Sequence, residues 1–430
     1  MTVHKNSFKL NREEKKIVCL TALGGMLEFY DFIIYGVFSV YFAHQFFPGE
    51  NPILSVIKSY VIFILGYIAR PVGGVIFSHF GDEYGRKYVL IITIILMGAS
   101  SLGIGILPTY NQIGIAAPLC LLLLRLVQGL ALGGELPSTY VYIIESMPQK
   151  RGSGFGITMF GVNSGLLLGM AINQMLNFIL TPAEMSTYGW RLPFIFGGLL
   201  CLISYQIRKT LQETSAFKKI HNKPLFPFLY LWTHHLPQVM AGIAITAIMS
   251  GLVVVAIVFM PTYLHEMLKM NNAFISYIMP LVMLCNIITI YFTGKMANMI
   301  SPSVILGSLL LLSTILIPCS YWLINGNQHK LMTGLIILSM LEGIAAMIVP
   351  LFICTLFPTK IRLTGVALCY NVGFTIFGGL APVIISSFIN AGYSVYLTPM
   401  IYLLIIVAIC GAGLSAVVFS NKKQINMLEY

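Results

Sequence analysis

Twelve long apolar runs follow one another along the chain, at about residues 17–47, 56–79, 88–107, 113–145, 152–180 and 189–208, then 236–265, 273–296, 303–324, 331–357, 364–391 and 395–419. Each is near or above the roughly 20 residues that an α-helix needs to cross about 30 Å of hydrocarbon. Inside a bilayer every backbone polar group has to be satisfied within its own segment, so runs of this kind are spanning helices. Twelve spans use about 240 residues, and the rest of the 430 goes to helix ends and loops, with no room for a large soluble appendage. Charged residues make up 9% and hydrophobic ones 57%, against about a quarter charged in a soluble domain. Mean hydropathy is +0.87. The fold class is therefore an all-α membrane protein. A disordered chain, a secreted disulfide scaffold and a cytosolic enzyme are excluded.

The net charge of +11 comes from bases in short segments between the apolar runs. No basic stripe or nucleic-acid motif accompanies them, so no nucleic acid is expected as a partner. The eight cysteines are scattered through the apolar segments, which indicates neither disulfides nor a zinc site. The polar N-terminal residues 1–16 lead into a run that is too long for a signal peptide and contains Glu28 and Asp31, so it reads as a retained first helix. With the N-terminus inside, nineteen Lys and Arg fall on the cytoplasmic side and four outside: Lys58, Arg191, Lys269 and Lys330. Cytoplasmic loops carry the excess of bases, so both termini are expected there. The longest polar connection, 209–235, divides the chain into a six-helix bundle at 1–208, a cytoplasmic linker, and a second six-helix bundle at 236–430.

Ionisable groups inside a bilayer are costly enough to suggest function. Five lie deep in the runs: Glu28, Asp31, Arg70, Arg125 and Glu342, and Glu135 makes a sixth. Glu28 and Asp31 are three apart, so both carboxyls leave one helix face, with Tyr35 one turn further on. Two carboxyls in a low-dielectric site repel as anions and gain by taking up a proton, the property a proton-coupling site needs. The competing reading is a buried pair, neutralised by an arginine, that ties helices together. Arg70 and Arg125 stay charged, and each needs a partner: Glu28, Asp31, Glu135 or a solute carboxylate. Arg125, Gln128, Leu132 and Glu135 fall within a sector of about 80° at 100° per residue, a face that presents a cation, an amide and an acid. Glu342 is the only deep charge of the second half, a candidate for solute or proton contact. The aromatics Phe29, Tyr30, Phe32 and Tyr35 either box a quaternary ammonium by cation–π attraction or pack the first helix.

The second run ends in Gly81-Asp82-Glu83-Tyr84-Gly85-Arg86-Lys87. A glycine turn carrying both charge signs at the membrane face can pin one helix to another, with Asp82 and Arg86 pairing with groups such as Glu145 and Arg151. That is a cytoplasmic gate latch. The phosphate-binding loop, the zinc-protease helix and the hydrolase nucleophile motif are absent, so no catalytic residues, cofactor or metal are expected.

The halves echo one another: Pro148-Gln149-Lys150-Arg151-Gly152-Ser153-Gly154 follows the fourth run and Pro358-Thr359-Lys360-Ile361-Arg362-Leu363-Thr364-Gly365 the tenth. A parallel 6+6 repeat is how major facilitator transporters are built. Further motifs are Leu27-Glu28-Phe29-Tyr30-Asp31-Phe32, Arg70-Pro71-Val72-Gly73-Gly74, Arg125-Leu126-Val127-Gln128-Gly129, Gly133-Gly134-Glu135, Gly189-Trp190-Arg191-Leu192-Pro193-Phe194, Leu211-Gln212-Glu213-Thr214 with Phe217, and Tyr370-Asn371-Val372-Gly373. Together they resemble the metabolite:proton symporter family of the major facilitator superfamily. One departure is Gly24-Gly25, where relatives often have Gly-Asn.

The resemblance implies a multi-pass protein of the bacterial inner membrane, importing a small carboxylate or zwitterion (proline, betaines, 2-oxoglutarate and citrate in the family) with protons by alternating access. Glu28 and Asp31 are then the proton-coupling candidates. Arg70, Arg125, Gln128, Tyr35, Glu135, Glu342 and Asn371 are the solute-binding candidates, and Asp82, Gly85, Arg86, Glu145 and Arg151 the gate. The partners expected are a solute, protons and lipid, with the chain working as a monomer. The alternatives are a proton-coupled exporter of the same fold and a non-transporting solute sensor, although the tail 420–430 is too short for a regulatory domain.

Overall fold

The computed structural model describes residues 10–49, 52–220, 224 and 226–428, so the polar residues 1–9 and Lys223 lie outside it. Among the described residues all regular structure is helical. The long helices are α1 Arg12–Phe46, α2 Pro52–Glu83, α3 Arg86–Ile106, α4 Ala116–Ser146, α5 Arg151–Ile179, α6 Arg191–Arg208, α7 Leu236–Val253, α8 Asn272–Met296, α9 Pro302–Ile324, α10 Gln328–Cys354, α11 Arg362–Gly373 and α12 Leu397–Leu428. By length and apolarity eleven helices of the described chain can cross a membrane, and a twelfth span is the pair Pro182–Gly189 and Arg191–Arg208, bent by 43°.

Helix starts follow local chemistry. The Asn11 side chain accepts from the Glu14 N–H while Glu14 accepts from the Asn11 N–H, each at 2.7 Å, which satisfies two end donors of α1. Breaks inside the spans were harder to read. The run expected to be one helix over 236–265 leaves the regular ladder at a π turn, Val254–Val258, and again at Tyr263–Met267. Pro261 sits between these turns with no N–H to donate, so the ladder slips around it. The run 364–391 likewise passes through a π turn, Phe374–Gly379, before Pro382 restarts a helix at Ala381–Asn390. The linker 209–235 contains two short helices, Ser215–Lys218 and Pro227–His234.

Contacts divide the chain into two compact units, Asn11–Ser146 with Gly161–Lys223, and Met147–Phe160 with Pro224–Tyr430. The division read from sequence assigns residues 147–160 to the first bundle. In the structure they go with the second unit, because Gly156 packs directly on Gly294: a Cβ on Gly156 would lie 2.8 Å from the Gly294 Cα. In the first unit α2 and α4 touch backbone to backbone. A Cβ at Gly133 would fall 2.0 Å from the Arg70 carbonyl oxygen, so only glycine permits the approach. That contact carries Arg70 and Arg125 into the interior. In the second unit α8 and α10 also meet at a glycine, less closely: a Cβ on Gly343 would lie 2.8 Å from the Asn286 carbonyl oxygen.

A candidate solute and proton site in the first unit

Asp31 and Arg125, on α1 and α4, are 4% and 5% exposed and are joined by a relay of hydrogen bonds. Arg125 Nη1 donates to Gln128 Oε1 at 2.7 Å, Gln128 Nε2 donates to Ser101 Oγ at 2.9 Å, and the Ser101 hydroxyl donates to Asp31 Oδ2. The Arg125 guanidinium lies 3.9 Å from the Tyr35 ring centroid and 5.2 Å from that of Phe63. Asp31 Oδ1 and Arg125 Nε make no hydrogen bond. Buried polar atoms are ordinarily satisfied, so an anion-accepting cation and a proton-accepting oxygen are held ready at the two ends of one relay. Tyr35 thus serves Arg125, and its hydroxyl donates to the Ser59 carbonyl at 3.2 Å. Tyr30 turns to α6, donating to the Pro193 carbonyl at 2.9 Å, so the first-helix aromatics do not form one box. The Phe32 side chain lies outside the described residues.

Glu28 does not share Asp31's surroundings. Its charged neighbours are Arg70, Glu135 and Arg208, whereas Asp31 has the Ser101 hydroxyl as its hydrogen-bond donor and Arg125 as its charged neighbour. Spacing of three along α1 leaves the side chains about 60° apart, enough for α2 to receive one and α3 the other. Both Glu28 carboxyl oxygens lack a hydrogen bond. Arg70 is stacked on Tyr67, 4.9 Å from its ring centroid.

Glu135 is placed differently from the face read in sequence. It is wholly buried, one oxygen 2.5 Å from Arg208 Nη2 and the other accepting from the Thr93 hydroxyl, so both are taken and neither is open to a solute. Arg208 counts by sequence among the cytoplasmic loop bases. In the structure it is 1% exposed, and Nη1 donates to the Leu90 carbonyl at 2.8 Å. Gly24 makes room for it, since a Cβ there would fall 1.4 Å from Arg208 Nη2. In the second unit Glu342 is 1% exposed and accepts from Asn286, while Asn286 also donates to the Ser339 carbonyl at 2.8 Å. Asn371 is buried and donates to the Ala367 carbonyl at 2.9 Å, one turn back on its own helix.

Asp82, Arg86 and Glu145 pair, with more neighbours than the sequence suggests. Arg86 donates through Nε and Nη2 to the two Glu145 oxygens at 3.1 and 3.2 Å, and its Nη1 lies 3.2 Å from Asp82. The Phe217 ring centroid is 4.7 Å from the guanidinium, and Thr214 Oγ1 donates to Glu145 at 2.8 Å. Glu213 accepts from the Lys87 N–H at 3.0 Å, over Gly85 at φ +115°, a conformation that disfavours a side chain. Arg151 belongs to the other unit, where it lines a cavity of about 420 Å³ with Gln149 and Asn298. Ser101, Arg208, Glu213, Thr214, Phe217 and Asn286 received no role from sequence. Only Leu211-Gln212-Glu213-Thr214 and Phe217 carried a signal, as unassigned parts of a family motif.

The comparisons agree with this architecture. A Staphylococcus haemolyticus protein with a provisional name as a proline/betaine transporter is 31% identical over 399 residues, 90% of this chain and 84% of that one. The glycine betaine/proline/ectoine/pipecolic acid transporter OusA of Dickeya dadantii is 30% identical, covering 92% of this chain and 81% of its own. Among solved structures, the proton:xylose symporter XylE bound to 6-bromo-6-deoxy-D-glucose superposes with a TM-score of 0.75 at 16% identity, covering 92% and 94% of the two chains, and shows the shared fold. The Major Facilitator Superfamily profile matches residues 21–382. This protein is therefore a multi-pass membrane transporter rather than an enzyme, and it belongs to the Major Facilitator Superfamily.

Proposed function

We propose that the chain imports a small zwitterionic or carboxylate solute in symport with protons, by alternating access, with proline and betaines as the first candidates. The observation that carries this reading is the relay Arg125–Gln128–Ser101–Asp31, which joins a buried cation to a buried carboxyl through two neutral side chains. A solute carboxylate on Arg125 withdraws the cation's charge from Asp31, and an Asp31 that loses this compensation favours a proton. Solute and proton together leave the site neutral, which lowers the cost of closing it to water. Glu28, beside Arg70, is the second proton candidate, and Glu342 and Asn371 are solute contacts of the second unit. The names of the relatives support the solute class.

In this reading the protein works as a monomer in a bacterial inner membrane with both termini in the cytoplasm. The Asp82–Arg86–Glu145 lock then holds the cytoplasmic side closed, and the linker joins the two six-helix bundles. Proteoliposomes test it. Labelled proline and glycine betaine should accumulate when an inward proton gradient is imposed. Accumulation indifferent to the gradient describes a facilitator instead, and extrusion from loaded vesicles an exporter.

A further inference from the structure

One short helix of the linker has no role in the account above. Pro227–His234 ends at His235, a single residue before α7 begins at Leu236. Pro237, in the first turn of α7, has no N–H to give the carbonyl four residues back, and the break falls at His235 with φ −130°, so the short helix does not run on into the span. Its faces are sharply divided. Pro227 and Leu231 are buried against the protein. Phe228, Leu229 and Trp232 fall within a sector of about 100° and are 39%, 59% and 50% exposed, with the Phe228 and Trp232 rings stacked at 6.2 Å. The remaining edge is polar. Tyr230 stacks on His234 at 4.4 Å, and Lys360 lies 4.6 Å from the Tyr230 ring centroid and donates to its hydroxyl at 3.1 Å.

We propose that Pro227–His234 is an in-plane membrane anchor, its Phe228, Leu229 and Trp232 inserted at the headgroup–acyl boundary and its Tyr230 edge holding, through Lys360, the turn that begins α11.

Covalent geometry chooses the occupant. At 1.5 Å per residue the whole helix is about 12 Å long and is tethered by one residue to a membrane-spanning segment, so it stays at the bilayer surface. Leu236 and Met240, at the start of the spanning helix α7 that follows, are exposed as well. An amphipathic helix with Trp and Phe on its apolar face suits that boundary layer, and exposed in water the same face would be a costly patch. Lys360 belongs to the single turn Thr359–Ile361 that leads directly into α11, so a displaced anchor pulls on the start of that span.

Depth-dependent quenching tests the proposal. The chain has three tryptophans, and Trp190→Phe with Trp322→Phe leaves Trp232 alone. In phosphatidylcholine vesicles, lipids brominated near the headgroup should quench Trp232 several-fold more than lipids brominated at the chain ends, and aqueous acrylamide should quench it weakly. Trp190 is packed among Phe42, Phe46 and Phe194. If its replacement prevents folding, the difference between wild type and Trp232→Phe supplies the same readout. Leu229→Glu should remove the lipid quenching while circular dichroism stays that of the intact helical protein. Full acrylamide quenching without lipid quenching would overturn the proposal by placing the helix in water. Protection from both quenchers would overturn it by placing a protein surface, such as a second copy, over the patch.

Discussion

Arg208 and Glu135 form an ion pair with N···O at 2.5 Å in which the two side chains are 1% and 0% exposed. Removing one partner of such a pair leaves an uncompensated buried charge, at a cost of about 3–5 kcal/mol. Arg208→Ala should therefore abolish stable expression or lower the melting temperature steeply, and Glu135→Ala should do the same. Gly24→Asn should fail as well, since its Cβ would collide with the guanidinium. Thermal unfolding in detergent, followed by circular dichroism, checks all three. A Glu135→Ala protein of normal stability that has lost solute binding would restore Glu135 to the solute site.

Gln128 is the middle of the relay, and Gln128→Leu keeps its bulk while cutting both hydrogen bonds. Each bond involves or serves a charged group, and such a bond contributes about 2 kcal/mol, or roughly thirtyfold in an equilibrium. Gradient-driven uptake should fall by about that factor, with melting behaviour near wild type. Initial uptake rates in proteoliposomes, at matched protein incorporation, measure it. Unchanged uptake would show that Arg125 and Asp31 act independently.

The latch sets an order of effects. Arg86→Lys loses the two-pronged grip on Glu145, which a point-charge ammonium does not reproduce. Thr214→Val loses the hydroxyl's bond to Glu145 and its cap on the Phe217 N–H, together about 2 kcal/mol. Gly85→Ala places a Cβ at φ +115° and 2.2 Å from a Glu213 oxygen. Stability should fall more for Arg86→Lys and Gly85→Ala than for Thr214→Val, as read by melting temperature. The reverse order would remove the Arg86–Glu145 pair from the centre of the latch.

Sequence carried the spans, because long apolar runs admit no other structure in lipid. It carried the pairing of Arg86 with Asp82 and Glu145 as well, because Gly85 and the charges around it are a local signal. It misread Arg208, since a base at a helix end looks like a loop residue until α6 packs beside α1 and Gly24 opens a place for it. Spacing along α1 suggested a joint Glu28–Asp31 site. Only the neighbouring helices reveal that Ser101 and Arg125 receive one carboxyl while Arg70 and Arg208 face the other. The π turns that follow α7 and α11 were hidden for a similar reason: prolines mark where a ladder is at risk without fixing how it is repaired.

Asp31 should take up a proton with each solute translocated. External pH, followed in lightly buffered proteoliposomes as solute is added, tests this most directly. The wild-type protein should make the medium transiently alkaline. Asp31→Asn should move no protons while still exchanging labelled solute across the membrane at equal concentrations. Solute-dependent alkalinisation that persists in Asp31→Asn, or solute accumulation by the wild type with no proton movement, would show that Asp31 does not carry the coupled proton.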